Sequence, residues 1–244
     1  MLKPVVDQTR RILSANTSVY GDGHEVDQYL ARSNHAARVQ LVIETAVRRA
    51  HEGPTAKNGL GIELGSSGGQ ISERLRLRGL EVVGGDVSLE SLRVGFKRGI
   101  PGVALDATAS LPFRTGTLRF IVACELIEHL FDTMAFLSEC RRTLEPNGFL
   151  VLSTPNLATL SDRMRFVIGC SPKQVDPLHR YRYLHIRAFT AGLLTRVLKA
   201  SGFRDISIAS QVVEIPLPWT TVRSIGLAKL VPGLGRSLIA SCRA

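Results

Sequence analysis

The chain has 244 residues, 44% of them hydrophobic and 21% charged, and carries a formal net charge of +10. That length and apolar content suit one α/β domain with a sizeable core, and they exclude a disordered or low-complexity chain. Cys124, Cys140, Cys170 and Cys242 form no C-x-x-C pair, which argues against a disulfide framework or a structural zinc site and for free thiols in a reducing cytoplasm.

Asp7, Arg10 and Arg11 stand where a signal peptide needs an apolar run, so export by that route is not expected. Residues 25–51 then place Val26, Tyr29, Leu30, Val39, Val42, Ile43, Ala46 and Val47 at helical spacing, an amphipathic entry broken by "GPTAKNG". "LGIELGSS" reads as a short buried strand running into a glycine turn, followed by a helix from Gln70 to Arg78. The alternation continues through strand "EVVGGDVS", helix "LESLRVGFKRG", strands "VALDA" and "RFIVACE", helix "TMAFLSECRRTLEP" and strand "GFLVLSTP". Such βαβ units predict a doubly wound α/β fold with a mostly parallel sheet. After Pro155 come a basic stretch, helix "AFTAGLLTRVLKASGF", strand "DISIASQVV" and a last strand "SLIASCRA". Two late strands with no helix between them predict an antiparallel finish, with residues 216–236 as its excursion. The division expected is one domain over 1–244: a helical cap at 1–58, a core at 59–155, and an acceptor-facing basic segment with the last strands at 156–244.

The charge is uneven. From Ser161 onward there are 13 Lys/Arg and 4 Asp/Glu, which leaves +9 there and +1 before it. A basic face of this kind suits nucleic acid, anionic lipid or a phosphorylated substrate, and equally a solvated surface.

The opening glycine turn tells what it does not hold. In a doubly wound fold the ligand lies beyond the carboxyl ends of the first strands, and an acid at the second strand takes ribose hydroxyls; Asp86 is that acid by position. Ser67 and Gln70 stand where G-x-G-x-x-G needs glycine, and no G-x-x-x-x-G-K-[ST] occurs, so neither a dinucleotide pyrophosphate nor a P-loop phosphate is expected. Glu63 would repel a pyrophosphate but could receive an ammonium group.

A ligand with adenine, ribose and an amino acid fits these features. Across Leu60 to Pro155 the chain resembles the class I S-adenosylmethionine-dependent methyltransferases. "IELGSSGG" resembles their first motif, "GGDVS" the ribose-binding motif, and "LDATASLPF" the adenine-contacting segment; "CELIEHL" and "LEPNGFLVLSTPN" resemble the exits of the fourth and fifth strands. The resemblance implies S-adenosyl-L-methionine as cofactor, with Glu63, Gly65 and Gly69 lining the methionine part, Asp86 holding the ribose, Asp106 and Ala107 meeting adenine, and Glu125 supporting the cofactor. Two departures stand out: Ser67 in place of the middle glycine, where the turn was expected to survive with φ negative, and Arg119 where the family often has Asp.

Glu125, Glu128 and His129 fall at i, i+3 and i+4, one face of a helical turn. The same E-x-x-E-H with a later histidine occurs in metal-assisted O-methyltransferases of ubiquinone biosynthesis and of small-RNA 3′ ends. By that resemblance Glu125, Glu128, His129 and His185, with His179 as substitute, are a candidate divalent-metal set, better suited to Zn²⁺ or Mn²⁺ than to Mg²⁺. Without metal, His129 and His185 are candidate catalytic bases for a hydroxyl acceptor, and a hydrogen-bonded loop histidine is the plain alternative. Tyr29, His35, Arg38, Arg180 and Tyr181 are acceptor-pocket candidates. The leading expectation is O-methylation of a small-molecule, glycan or lipid-linked acceptor in the cytoplasm or peripherally at the inner membrane surface. RNA is the second enzyme reading, supported only by the basic tail, and a non-catalytic binding protein is the third. Residues 216–236 mix Trp219, Val222, Ile225 and Leu230 with Arg223 and Lys229, a composition that suits either an anionic bilayer or a pocket cover.

Overall fold

The protein is seen in a computed structural model that describes residues 33–52, 59–176, 178 and 185–244. Helix α1 (Ser33–His51) precedes β1 (Gly61–Leu64), α2 (Gln70–Leu77), β2 (Val82–Asp86), α3 (Leu89–Lys97), β3 (Gly102–Ala104) and β4 (Leu118–Cys124). Then follow α4 (Thr133–Thr143), β5 (Leu144–Pro155), α5 (Leu160–Val167), α6 (Ala191–Ala200) and β6 (Arg204–Ala209). A small hairpin of β7 (Val213–Pro216) and β8 (Thr221–Ser224), helix α7 (Ile225–Leu230) and β9 (Ser237–Arg243) complete the chain.

Seven strands form one sheet in the order β3-β2-β1-β4-β5-β9-β6. β9 runs antiparallel to both β5 and β6, and the other neighbours are parallel, so the doubly wound sheet expected from the alternation is present. The antiparallel finish is there too, in a different form. "DISIASQVV" does not run on as one strand: β6 stops at Ala209 and β7 starts at Val213 in a separate two-stranded sheet. β9 is inserted between β5 and β6 and thereby covers the apolar edge that β5 would otherwise expose.

The two-residue period of the central strands sorts the core into two layers. Ile121, Ala123, Leu150 and Leu152 point to the face covered by α4 and α6, where Leu137, Leu194 and Leu198 are fully buried. Phe120, Val122, Phe149 and Val151 point to the other face, against Val42, Ile43 and Ala46 of α1 and Leu75 of α2. The rings of Phe120 and Phe149 stack with centroids 5.4 Å apart. This alternation is why β4 and β5 read as continuous apolar runs: both faces are buried. All four cysteines are free, with Cys140 and Cys242 buried in these layers.

Two features fix the site's position. The strand order reverses between β1 and β4, which opens a crevice beyond their carboxyl ends. Side-chain caps start the helices that face it: Ser88 accepts from Ser91 N at 3.2 Å for α3, and Asp132 accepts from Ala135 N at 2.9 Å for α4.

Candidate active site at the carboxyl edge of the sheet

The turn after β1 is built from positive φ. Gly65 (φ +71), Ser67 (φ +46) and Gly69 (φ +76) all lie in the left-handed region. The expectation of a negative φ at Ser67 is therefore corrected: the serine adopts the conformation a glycine would take, at a cost of about 1 kcal/mol. What holds it there is Asp86. Its Oδ2 accepts from Ser67 N at 2.8 Å and its Oδ1 from Ser88 N at 2.9 Å, so one carboxylate ties the first turn to the start of α3. Burial raises the Asp86 carboxyl above the ordinary Asp range, opposed by the N–H groups of Ser88, Ser67 and Val87. Each oxygen keeps acceptor capacity for a hydroxyl donor. At Gly69 an added Cβ would come within 3.3 Å of the Gly95 Cα, so glycine there lets α3 press against the turn.

Glu63 lies beneath this turn rather than on it. It is 2% exposed, and its Oε2 accepts from both Ser72 N (2.8 Å) and Ser72 Oγ (2.6 Å), which locks β1 to the first turn of α2. Desolvation by burial pushes its carboxyl up to about 8, with the Ser72 bonds lowering it and Asp86 raising it further. Asp106, two residues beyond β3, accepts from Thr108 N (2.8 Å) and Thr108 Oγ1 (2.7 Å), an Asx turn that leaves Ala107 partly buried against the core.

On the other side of the crevice the parts are side chains. Glu125 has φ +51 and stands before the 3₁₀ turn Ile127–His129, so the single helical face expected for Glu125, Glu128 and His129 does not form. Glu125 turns to the sheet and to α1 instead: Ser153 Oγ donates to its Oε1 at 3.0 Å, and Arg38, 3% exposed, pairs with its Oε2 at 3.0 Å. Arg38, an expected acceptor contact, is thus the buried counter-ion of Glu125, with His35 Nδ1 3.1 Å away.

Glu128 is 1% exposed; Thr154 Oγ1 donates to its Oε2 at 3.0 Å, and its Oε1 is buried with no hydrogen-bond partner among the described residues. Desolvation, then the neighbouring Glu125, holds its carboxyl well above the usual range. Its backbone oxygen accepts from Ile186 N and Arg187 N, each at 3.0 Å, which brings the loop carrying His185 onto the 3₁₀ turn. The rings of His129 and His185 meet edge to face with centroids 5.0 Å apart, and His129 Nε2 lies 4.0 Å from Glu128 Oε1. Glu128, His129 and His185 each offer a ligand atom within 4.8 Å of the others. A divalent ion fits this donor set as two imidazoles and one carboxylate, and the orphaned Glu128 Oε1 is the oxygen it would satisfy; Glu125 is not part of the group.

The structure places Glu128, His129 and His185 of the expected group near one another and Glu125 apart from them; sequence reasoning missed Ser72, Ser153, Thr154 and the role of Arg38. A signal was there for two of them. Ser153 and Thr154 end the apolar run of β5 yet are fully buried, and polar residues in such a place need partners. Arg119 sits at the amino end of β4, 6% exposed and 3.6 Å from Glu145, at the opposite edge of the sheet from the crevice. His179, Arg180, Tyr181 and Tyr29 lie outside the described residues.

Residues 62–152, which hold the β1/β4 switch point, the left-handed glycine turn and the acid at the end of β2, match a family model described as a methyltransferase domain. Over those residues the chain is similar to a methyltransferase domain. A probable S-adenosylmethionine-dependent methyltransferase of Mycolicibacterium smegmatis is 36% identical over 95 residues, covering 39% of this chain and 32% of that protein. A ubiquinone biosynthesis O-methyltransferase of Idiomarina loihiensis is 28% identical over 158 residues, covering 60% of this chain and 62% of that protein. The chain thus spans about a third of the length of the first relative and under two thirds of the second. Among solved structures, a SAM-dependent methyltransferase of Archaeoglobus fulgidus superposes with a TM-score of 0.61 at 17% identity, over 91% of this chain and 100% of that one. That likeness concerns the fold alone, and the shared fold reaches well past the residues of the family match.

Proposed function

We propose that the chain is an S-adenosylmethionine-dependent methyltransferase that acts on an oxygen of a small-molecule acceptor. The observation that carries the reading is Asp86: a carboxylate at the end of β2 that organises the left-handed turn through Ser67 and keeps acceptor capacity on both oxygens. The glycine turn fits the amino-acid end of the cofactor and Asp86 its ribose, while Asp106 and Ala107, at the end of β3, are assigned to the adenine. When bound, the cofactor supplies an electrophilic methyl on a sulfonium, so alignment rather than covalent catalysis is what the protein must add.

The chain's own residues then have two tasks. The turn and Asp86 fix one reactant. His129 and His185, beside the buried Glu128, face the other and accept the proton that a hydroxyl acceptor loses. Glu128 Oε1 lies 4.0 Å from His129 Nε2, near it but beyond hydrogen-bond distance. The same three residues would serve equally as ligands for Zn²⁺ or Mn²⁺, which would lower the acceptor's pKa in place of a base. The likeness to ubiquinone biosynthesis O-methyltransferases favours an oxygen acceptor over nitrogen or carbon. Residues 156–244 are assigned to acceptor recognition, and residues 1–58 to a helical cap over the core.

Calorimetric titration of metal-stripped protein with S-adenosylmethionine and S-adenosylhomocysteine tests the cofactor assignment. Asp86→Ala is expected to weaken binding by about 100-fold, the order expected when a charged hydrogen-bond acceptor is lost. Absence of binding to the folded wild-type protein would overturn the reading in favour of a non-catalytic role.

A further inference from the structure

Among the exposed large apolar side chains of the described residues, one group lies on neighbouring elements after β5. On the excursion between β6 and β9, Trp219 is 95% exposed at the tip of the β7–β8 hairpin, and Ile225 and Leu230 of α7 are 63% and 81% exposed. Helix α5 packs against β7, and its far end contributes Phe166, Val167 and Ile168, each more than two-thirds exposed. A soluble surface scatters such residues singly; a contiguous group of them marks a contact.

The charges around them are mostly basic. Arg223, Lys229 and Arg236 lie on or beside the excursion with no Asp or Glu after Glu214, and Arg163 and Lys173 lie exposed on and after α5, with Asp176 an exposed acid nearby. Glu214 itself is engaged by Arg236 at 3.0 Å and Arg223 at 3.7 Å. The excursion leaves the sheet after β6 and returns where Ser237 pairs with Pro155, at the carboxyl end of β5, so it belongs to the edge that holds Glu128.

We propose that α5, the β7–β8 hairpin and α7 form a docking face for an anionic phospholipid bilayer. Highly exposed aromatic and aliphatic side chains on a hairpin tip and two short helices, set among basic residues, suit the acyl boundary and headgroups of an anionic bilayer. An indole at the tip belongs at the headgroup level, and the surrounding lysines and arginines are complementary to anionic headgroups. The contact would be peripheral, since no helix among the described residues is long and apolar enough to cross a membrane. This inference does not depend on the methyl-transfer reading.

Trp219 is the only tryptophan of the chain, so it reports on the face without a label. The full chain would be mixed with phosphatidylcholine vesicles, with or without phosphatidylglycerol, and read by Trp emission, quenching by brominated lipid and co-sedimentation. Expected is a blue shift and quenching with anionic vesicles, at least about tenfold tighter than with neutral ones. Ile225→Glu combined with Leu230→Glu should weaken binding about tenfold or more with unchanged circular dichroism, and Lys229→Glu alone should weaken it on anionic vesicles only. No shift, or equal binding to neutral vesicles, would overturn the proposal. So would an emission already blue without lipid, which would mean that a second copy or another part of this chain covers the face.

Discussion

At the ends of β1, β2 and β3 the crevice is made of turns, whereas at the ends of β4 and β5 it is made of side chains. The first half depends on backbone: left-handed positions at Gly65, Ser67 and Gly69, an Asx turn at Asp106, and one carboxylate that receives two N–H groups. The second half depends on buried polar pairs brought from distant parts of the chain: Arg38 from α1, Glu125 and Glu128 from the segment after β4, Ser153 and Thr154 from β5, and His185 from the loop before α6. The difference teaches how each half fails. A turn loses a little when one residue changes, because its neighbours still fix the path; a buried charge loses much when its one partner goes.

The largest effect should therefore come from the side-chain half. Arg38→Ala leaves Glu125 without its counter-ion at a site where Arg38 is nearly fully buried, and is expected to cost about 3 kcal/mol in urea unfolding. A loss below about 1 kcal/mol would mean that the pair behaves as a surface salt bridge and that the contrast between the halves is overstated.

Glu63 sharpens the comparison through pH. Its carboxyl lies at about 8 in the folded protein, above the ordinary value of 4.5, because burial disfavours the charge. A raised folded value means that the folded state holds the proton more tightly. The stability from this group is complete below pH 4.5 and is lost as pH rises through about 8. Glu63→Gln keeps an oxygen for Ser72 but cannot ionise, so its stability relative to wild type should rise between pH 5 and pH 9. The gain is limited by about 1.4 kcal/mol for each pKa unit, and thermal melts of the two proteins across that range measure it. Parallel curves would show that Glu63 stays charged in the folded state.

The smallest effect belongs to the turn. Ser67→Gly removes a left-handed serine and a buried Oγ without a hydrogen-bond partner among the described residues. It should stabilise the protein by about 0.5–1 kcal/mol, a rise of a few degrees in melting temperature. A decrease would mean that the serine hydroxyl does something in solution that the folded turn does not reveal.

Much of the architecture was legible because it is local. The apolar runs of β1, β4 and β5, the spacing of α2 and α3, and the acid 21 residues after Gly65 all follow from short stretches whose periodicity or turn chemistry has one outcome. The misreadings fall where local preference and tertiary packing disagree. Ser67 was expected at negative φ, and two N–H groups directed at Asp86 hold the turn otherwise. "ELIEH" was expected as one helical face, and the demand of Arg38 and Ser153 pulls Glu125 out of it. "DISIASQVV" was expected as one strand, and it divides at residues 210–212 into β6 of the main sheet and β7 of the separate hairpin.

By itself the sequence determined the alternating fold, the place of the crevice and the acid at the end of β2, because hydrophobic period and glycine placement act within a few residues. Only the tertiary structure decided that Glu125 leaves the histidine group for Arg38, that Arg119 sits at the far edge of the sheet, and that the excursion after β6 presents its apolar side chains outward. Those outcomes depend on which distant partners a buried charge or an apolar side chain finds, and burial, not sequence spacing, sets that choice.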